Sequence, residues 1–187
     1  MRDVMIDIET LGTEPGCVIL SIGAVQFDMD TGTLGDRFYE VIDLKSSQNW
    51  ELEIEPKTLR WWMEQGEAAR AVFNDPNAAD LEDTLHRFTA WYPESAKAWA
   101  SGIVFDIGIL EHTMRVCGVQ IPWKFWNVAD HRTVRNLLPL TTRQNLTVEP
   151  ATAHVAIDDA IAQALSLCAY MKYLDGYSAP ALKAVPA

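Results

Sequence analysis

Residues 4–9 read Val4-Met5-Ile6-Asp7-Ile8-Glu9, an apolar run with acids at two alternate positions. Side chains alternate faces along a strand, so Asp7 and Glu9 point one way and Ile6 and Ile8 the other, into a core. Two carboxylates side by side on a strand repel each other and lose hydration if buried. Either that face is wet and both acids are solvated, or a divalent cation resolves the conflict. Thr10-Leu11-Gly12 follows, where Gly12 marks a turn or a close backbone approach.

Downstream, Cys17–Phe27 and Arg37–Ile42 read as further strands, joined by Asp28-Met29-Asp30-Thr31-Gly32-Thr33, whose Asp and Gly suit a turn. The three strands predict an antiparallel meander. Leu44–Glu55 is polar and predicts a loop. Pro56 opens a helix that runs to about Gln65 before Gly66. Leu81, Leu85 and Phe88 recur at helical spacing within Asp80–Tyr92, and Pro93 stops that helix. Lys97–Ser101 is a short strand. A helix over Phe105–Cys117 turns Ile107, Leu110 and Met114 inward and is closed by Gly118. Val128–Leu138 holds another short helix, and His154–Leu174 is the last and longest. Strands followed by alternating helices and strands make an α/β domain with a mixed central sheet, flanked by helices. One domain over residues 1–177 is expected, with Ser178–Ala187, carrying Pro and Ala, as a flexible tail.

Composition narrows the class. The 187 residues are 49% hydrophobic, enough for a substantial core. No apolar run approaches the roughly 18 residues of a membrane-spanning helix. Asp3, Asp7 and Glu9 near the start disfavour a signal peptide, so a cytoplasmic protein with no membrane partner is expected. Cys17, Cys117 and Cys168 show no metal-like spacing and read as small buried hydrophobes. The net charge of −11 opposes broad electrostatic capture of nucleic acid. Clustered carboxylates can nonetheless bind divalent cations, and the cations then meet phosphates.

Two further constellations bear on chemistry. Asp106 follows a predicted strand and opens a predicted helix; it is either an N-cap or a metal ligand at the strand's carboxyl end. His154-Val155-Ala156-Ile157-Asp158-Asp159 offers a histidine near paired acids. It reads either as a helix start with dipole-compensating acids or as a general base beside a metal ligand. Helical geometry alone leaves Asp158 and Asp159 both open. His86 and His112 read as structural or surface residues. His131 with Arg132 and Arg135 forms a small basic patch, either a solvated face or a phosphate contact. The adjacent Trp61 and Trp62 cannot both face one core; an exposed one could stack on a base.

In chain order, Asp7-Ile8-Glu9-Thr10, Phe105-Asp106, and His154 with Asp159 and Ala160 resemble the motifs of the DEDDh exonucleases, the DnaQ-like branch of the ribonuclease-H-like fold. The resemblance runs from Met1 to about Leu174 and is most similar to compact phage and bacterial members, akin to phage exonuclease A and ribonuclease-T-like 3′ exoribonucleases. The His-x4-Asp spacing selects Asp159 over Asp158. The resemblance implies a ribonuclease-H-like α/β fold and a 3′–5′ exonuclease that releases nucleoside 5′-monophosphates from 3′ ends of single-stranded DNA or RNA. Asp7, Glu9 and Asp159 would hold one Mg²⁺, Asp7 with Asp106 would help hold a second, and Mn²⁺ should substitute. His154 would be the general base. Thr10 and Leu11 would contact the terminal nucleotide, Leu11 as a wedge beside its base, and Phe105 would support the site by packing. A homodimer would fit the family. The rival readings are a non-catalytic nucleic-acid-binding module, a carboxylate-rich interaction domain and an RNase-H-like endonuclease. The filled acidic positions and the His154 spacing favour the exonuclease.

Overall fold

A computed structural model describes residues 1–176. Strands β1 (Asp3–Thr10), β2 (Ile19–Phe27) and β3 (Leu34–Val41) form the expected antiparallel meander. β4 (Lys97–Ala100) lies parallel to the other side of β1, and β5 (Val128–Asp130) parallel to β4, giving the order β3-β2-β1-β4-β5. The sheet is therefore mixed, with β1 at its centre. Eight α-helices are present among the described residues: α1 (Leu44–Gln48), α2 (Pro56–Met63), α3 (Glu67–Arg70), α4 (Leu81–Trp91), α5 (Asp106–Val116), α6 (His131–Leu137), α7 (Leu140–Leu146) and α8 (Ala156–Asp175). None is long and apolar enough to cross a membrane.

The two sheet faces are covered differently. Val4, Ile6 and Ile8 meet Leu85 and Phe88 of α4 and Leu110 and Met114 of α5 in one core. On the opposite face Met5, Val25 and Trp99 pack under α8 through Ala160, Ala164 and Leu167. Ala156, Ala160 and Ala164 recur every four residues on the sheet-facing side of α8 and are all fully buried. The alanines let the helix backbone come close, and Gly23 of β2 completes the approach. A Cβ on Gly23 would fall 2.2 Å from the backbone carbonyl carbon of Ala156.

Several expected boundaries shift. Leu44–Glu55 is not all loop: Asp43 accepts from the Lys45 N–H and caps α1. Val128-Ala129-Asp130 extend the sheet beside Ala98–Ala100 instead of beginning a helix. Asp130 then caps α6 by accepting from the Thr133 N–H. The second strand starts at Ile19, because Cys17 bridges Glu53 outside the ladder. The short helices α3 and α7 were not expected. The tail anticipated at Ser178–Ala187 lies outside the described residues.

Candidate active site

Asp7 and Glu9 sit on the α8 face of β1, opposite Gly23 and Ser21 in the ladder. β4 pairs with β1 only as far as Met5, so the Ile8 N–H has no strand partner on that side. The Asp106 carboxylate takes its place, accepting from Ile8 at 3.3 Å. Asp106 is thus the first residue of α5, with Phe105 at the cap position, and its side chain is spent across the sheet, not on its own helix. From the other side, the first turn of α8 brings Asp159 over β1. One oxygen each from Asp7, Glu9 and Asp159 lie within 4.8 Å of one another.

His154 stands outside α8, in the left-handed conformation at φ 64°, with Val155 as the cap residue. Its backbone N–H donates to Asp159 Oδ2 at 2.8 Å. Its ring meets the edge of Trp61 at 4.9 Å between centroids, with the planes at 84°. His154 is not helical, so helical spacing from it does not set which acid shares its face, and Asp159 enters the cluster. One turn further along α8, Gln163 Nε2 donates to Asp7 Oδ1 at 2.7 Å, while Gln163 Oε1 is buried without a protein partner.

The acids are forced together against their charge. Burial, then Asp106, Glu9 and Asp159, hold the Asp7 carboxyl well above the usual range, and the Gln163 bond only partly offsets this. Burial with Asp159 and Asp106 pushes Glu9 up to about 8. Burial pushes Asp106 up to about 7, against the Ile8 N–H and the Arg132 charge. Asp159 is raised by burial, opposed by the His154 N–H. The cluster therefore fits a hard divalent cation: all donors are oxygens, they converge, and Gln163 Oε1 is a spare acceptor for a coordinated water. Asp106 stands beside this trio as a fourth carboxylate in a cleft of about 240 Å³.

A hollow of about 320 Å³ adjoins the cleft and shares Ile8, Glu9 and Phe105 with it; Trp61 and Lys57 also line it. Phe105 lines both cavities and packs, partly buried, against the core. Leu11 needs correction, whereas Thr10 lines the hollow. The Thr10 hydroxyl donates to the Gly12 carbonyl at 2.6 Å and is buried. Leu11 is 1% exposed and packs with Val18, Leu20 and Trp62, so it presents no wedge to a base. Trp62 is also buried, donating to the Thr10 carbonyl, whereas Trp61 is 40% exposed and faces the hollow. Gly12 is a close approach, as its sequence suggests: a Cβ there would lie 2.5 Å from Cys17 Cβ.

The basic patch divides. His131 is buried with Nδ1 on Ser101 Oγ at 3.1 Å, and burial pushes it down to about 4, so it is neutral near pH 7 and offers no charge to a phosphate. Arg132 instead lines the acidic cleft. Gln163 and Gly23 escaped the sequence reading. Gln163, four residues after Asp159, shares its helix face, and Gly23 interrupts an otherwise apolar strand; both signals were there. All three cysteines are free and buried, as expected.

Residues 2–171 match the family described as the 3′–5′ exoribonuclease Rv2179c-like domain. The chain is 26% identical over 211 aligned positions to an exodeoxyribonuclease of Enterobacteria phage T4, covering 94% of this chain and 92% of that protein. Its fold is similar to that of the nuclease domain of 3′hExo, a DEDDh family member bound to rAMP (TM-score 0.58, 12% identity, 92% of each chain). It is also similar to S. pombe Pop2p in its Mg²⁺- and Mn²⁺-bound form (0.64, 14%, 94% of this chain and 85% of that one). A third similar structure is exonuclease X in complex with 5′-overhanging duplex DNA (0.58, 18%, 94% and 93%). The mixed sheet and its flanking helices are the ribonuclease-H-like fold of the DEDDh nucleases.

Proposed function

We propose, from the premise that this chain belongs to the Rv2179c-like 3′–5′ exoribonuclease family, that it is a divalent-metal-dependent exonuclease. It removes nucleotides from the 3′ ends of single-stranded DNA or RNA and releases nucleoside 5′-monophosphates. The observation that carries this reading is the convergence of Asp7, Glu9 and Asp159 within 4.8 Å, with His154 tied to Asp159 at their edge.

Asp7, Glu9 and Asp159 would hold one Mg²⁺ or Mn²⁺, and Asp7 with Asp106 a second. Bound there, the cations supply charge neutralisation at the phosphate and a more acidic water. His154 removes the proton of the attacking water, and its backbone bond to Asp159 fixes where that base stands. Gln163 steadies the Asp7 carboxylate. The hollow beside the cleft receives the terminal nucleoside, with the exposed Trp61 face for its base. The rival, a binding module without activity, is disfavoured because both the base and all four acids are present in one cleft.

The test is digestion of 5′-labelled single-stranded DNA and RNA oligonucleotides with Mg²⁺, Mn²⁺ or EDTA. Both polymers belong in the assay, since the family description names an exoribonuclease and the phage relative an exodeoxyribonuclease. Expected is a metal-dependent ladder shortening from the 3′ end. Internal cuts would point to an endonuclease, and no cleavage by the folded, metal-loaded protein would favour the binding module.

A further inference from the structure

We propose that Arg132 is a phosphate clamp at the rim of the acidic cleft, gripping a phosphodiester oxygen of the substrate strand. The inference rests on the exonuclease reading above and deepens it. A cleft built from Asp7, Glu9, Asp106 and Asp159, in a chain of net charge −11, needs some fixed positive group to hold a polyanion in register. Arg132 is the arginine lining this cleft. It is exposed, and no carboxylate among the described residues lies within ion-pair distance of it.

The guanidinium is also held in place. Nη2 donates to the Ser101 carbonyl at 2.6 Å. The group lies flat against Gly102, where a Cβ would fall 3.2 Å from Cζ and Nη2 and 3.3 Å from Nη1. Gly102 itself stands at φ 112°, a conformation suited to glycine. The neighbouring Asp130 fixes the same loop from the other side by accepting from the Ile103 N–H at 3.4 Å. One edge of the guanidinium is thus anchored and the remaining N–H groups are left for an anion, the planar two-point geometry that suits phosphate.

Two substrates locate the phosphate: a single-stranded dT oligonucleotide, and the p-nitrophenyl ester of thymidine 5′-monophosphate, which carries one phosphodiester. Arg132→Ala should lower kcat/KM on the oligonucleotide by about 10- to 100-fold. A matching fall on the ester places the clamp on the scissile phosphate; a fall on the oligonucleotide alone places it on the next one. The slope of log affinity against log salt, read by anisotropy of a fluorescein-labelled dT oligonucleotide in Ca²⁺, should flatten by about 0.7 in Arg132→Ala. Arg132→Lys should keep that slope. A purely structural role would leave the slope unmoved. Unchanged kinetics on both substrates with an unchanged slope overturns the clamp. If the wild-type chain cleaves neither these substrates nor their rU counterparts, the exonuclease reading fails, and the salt slope alone then decides for or against Arg132.

Discussion

On one face of β1, Val4, Ile6 and Ile8 are sealed beneath α4 and α5. On the other, Met5 is sealed beneath α8, but Asp7 and Glu9 on the same face open into the cleft. The apolar face gains by burying surface, roughly 25 cal/mol per Å². The acidic face loses, because burial raises every carboxyl in it and repulsion from the other acids of the cluster adds to this at Asp7 and Glu9. The same strand therefore carries a stabilising face and a destabilising one. The packing also differs in kind: branched and aromatic side chains separate β1 from α4 and α5, whereas glycine and alanine bring α8 almost onto the sheet. That closeness lets an aspartate as short as Asp159 reach Asp7 and Glu9.

The largest effect should come from Asp7→Ala. It removes the ligand shared by both proposed cations, and turnover in the oligonucleotide assay should fall to background. The melting temperature of the metal-free protein should stay the same or rise, since a disfavoured charge is gone. A variant that retains wild-type activity would break the contrast between the faces. His154→Ala should slow hydrolysis by roughly 10²–10⁴ if it is the general base, measured as kcat at saturating metal. Ile8→Ala on the opposite face should do the reverse, costing about 2–5 kcal/mol in denaturant unfolding while the cluster of acids remains. Gly23→Ala should cost about 1–3 kcal/mol through overpacking against α8, and should weaken Mg²⁺ binding as well, because Asp159 is displaced.

The acidic face also predicts a pH dependence. Glu9 at about 8 and Asp106 at about 7 lie above their ordinary values, so the unfolded chain gives up these protons first. The raised groups thus favour the folded state at acid pH, and this advantage is lost as pH climbs through about 7 and 8. In EDTA, the melting temperature should fall between pH 5 and pH 8.5, and Mg²⁺ should restore it at the upper end. A flat profile in EDTA would mean that the acids are less confined than their geometry indicates. The smallest change should come from Asp158→Ala, which leaves the Asp7–Glu9–Asp159 cluster intact and should be mild beside Asp159→Ala in the same assay.

The contrast between faces also explains what was legible in the sequence. The alternation through residues 4–9 announces both faces of β1, and the meander follows from local patterning and the turn at residues 28–33. Within Val128–Leu138 the expected helix is present as α6, but β5 ahead of it is not legible, because three residues carry too little periodicity to declare a strand; pairing with β4 decides it. Asp159 could not be told from Asp158 by helical spacing because His154 lies outside the helix, in a conformation that no local pattern announced. Leu11 looked available beside the acids, yet a cluster with Trp62, more than fifty residues away, buries it. Arg132 appeared as one of three neighbouring basic residues, and only the loop at Gly102 separates it from the buried His131.

The close seat of Ala156 on Gly23 joins parts of the chain made far apart in time. During synthesis, Asp7, Glu9 and Asp106 leave the ribosome well before His154 and Asp159, and helix α8 is the last described element to emerge. A nascent or prematurely ended chain that stops before His154 holds three of the acids and neither that histidine nor the fourth acid. On the proposed reading, the cleft that joins Asp7, Glu9, Asp106 and Asp159 is thus completed only when α8 has docked.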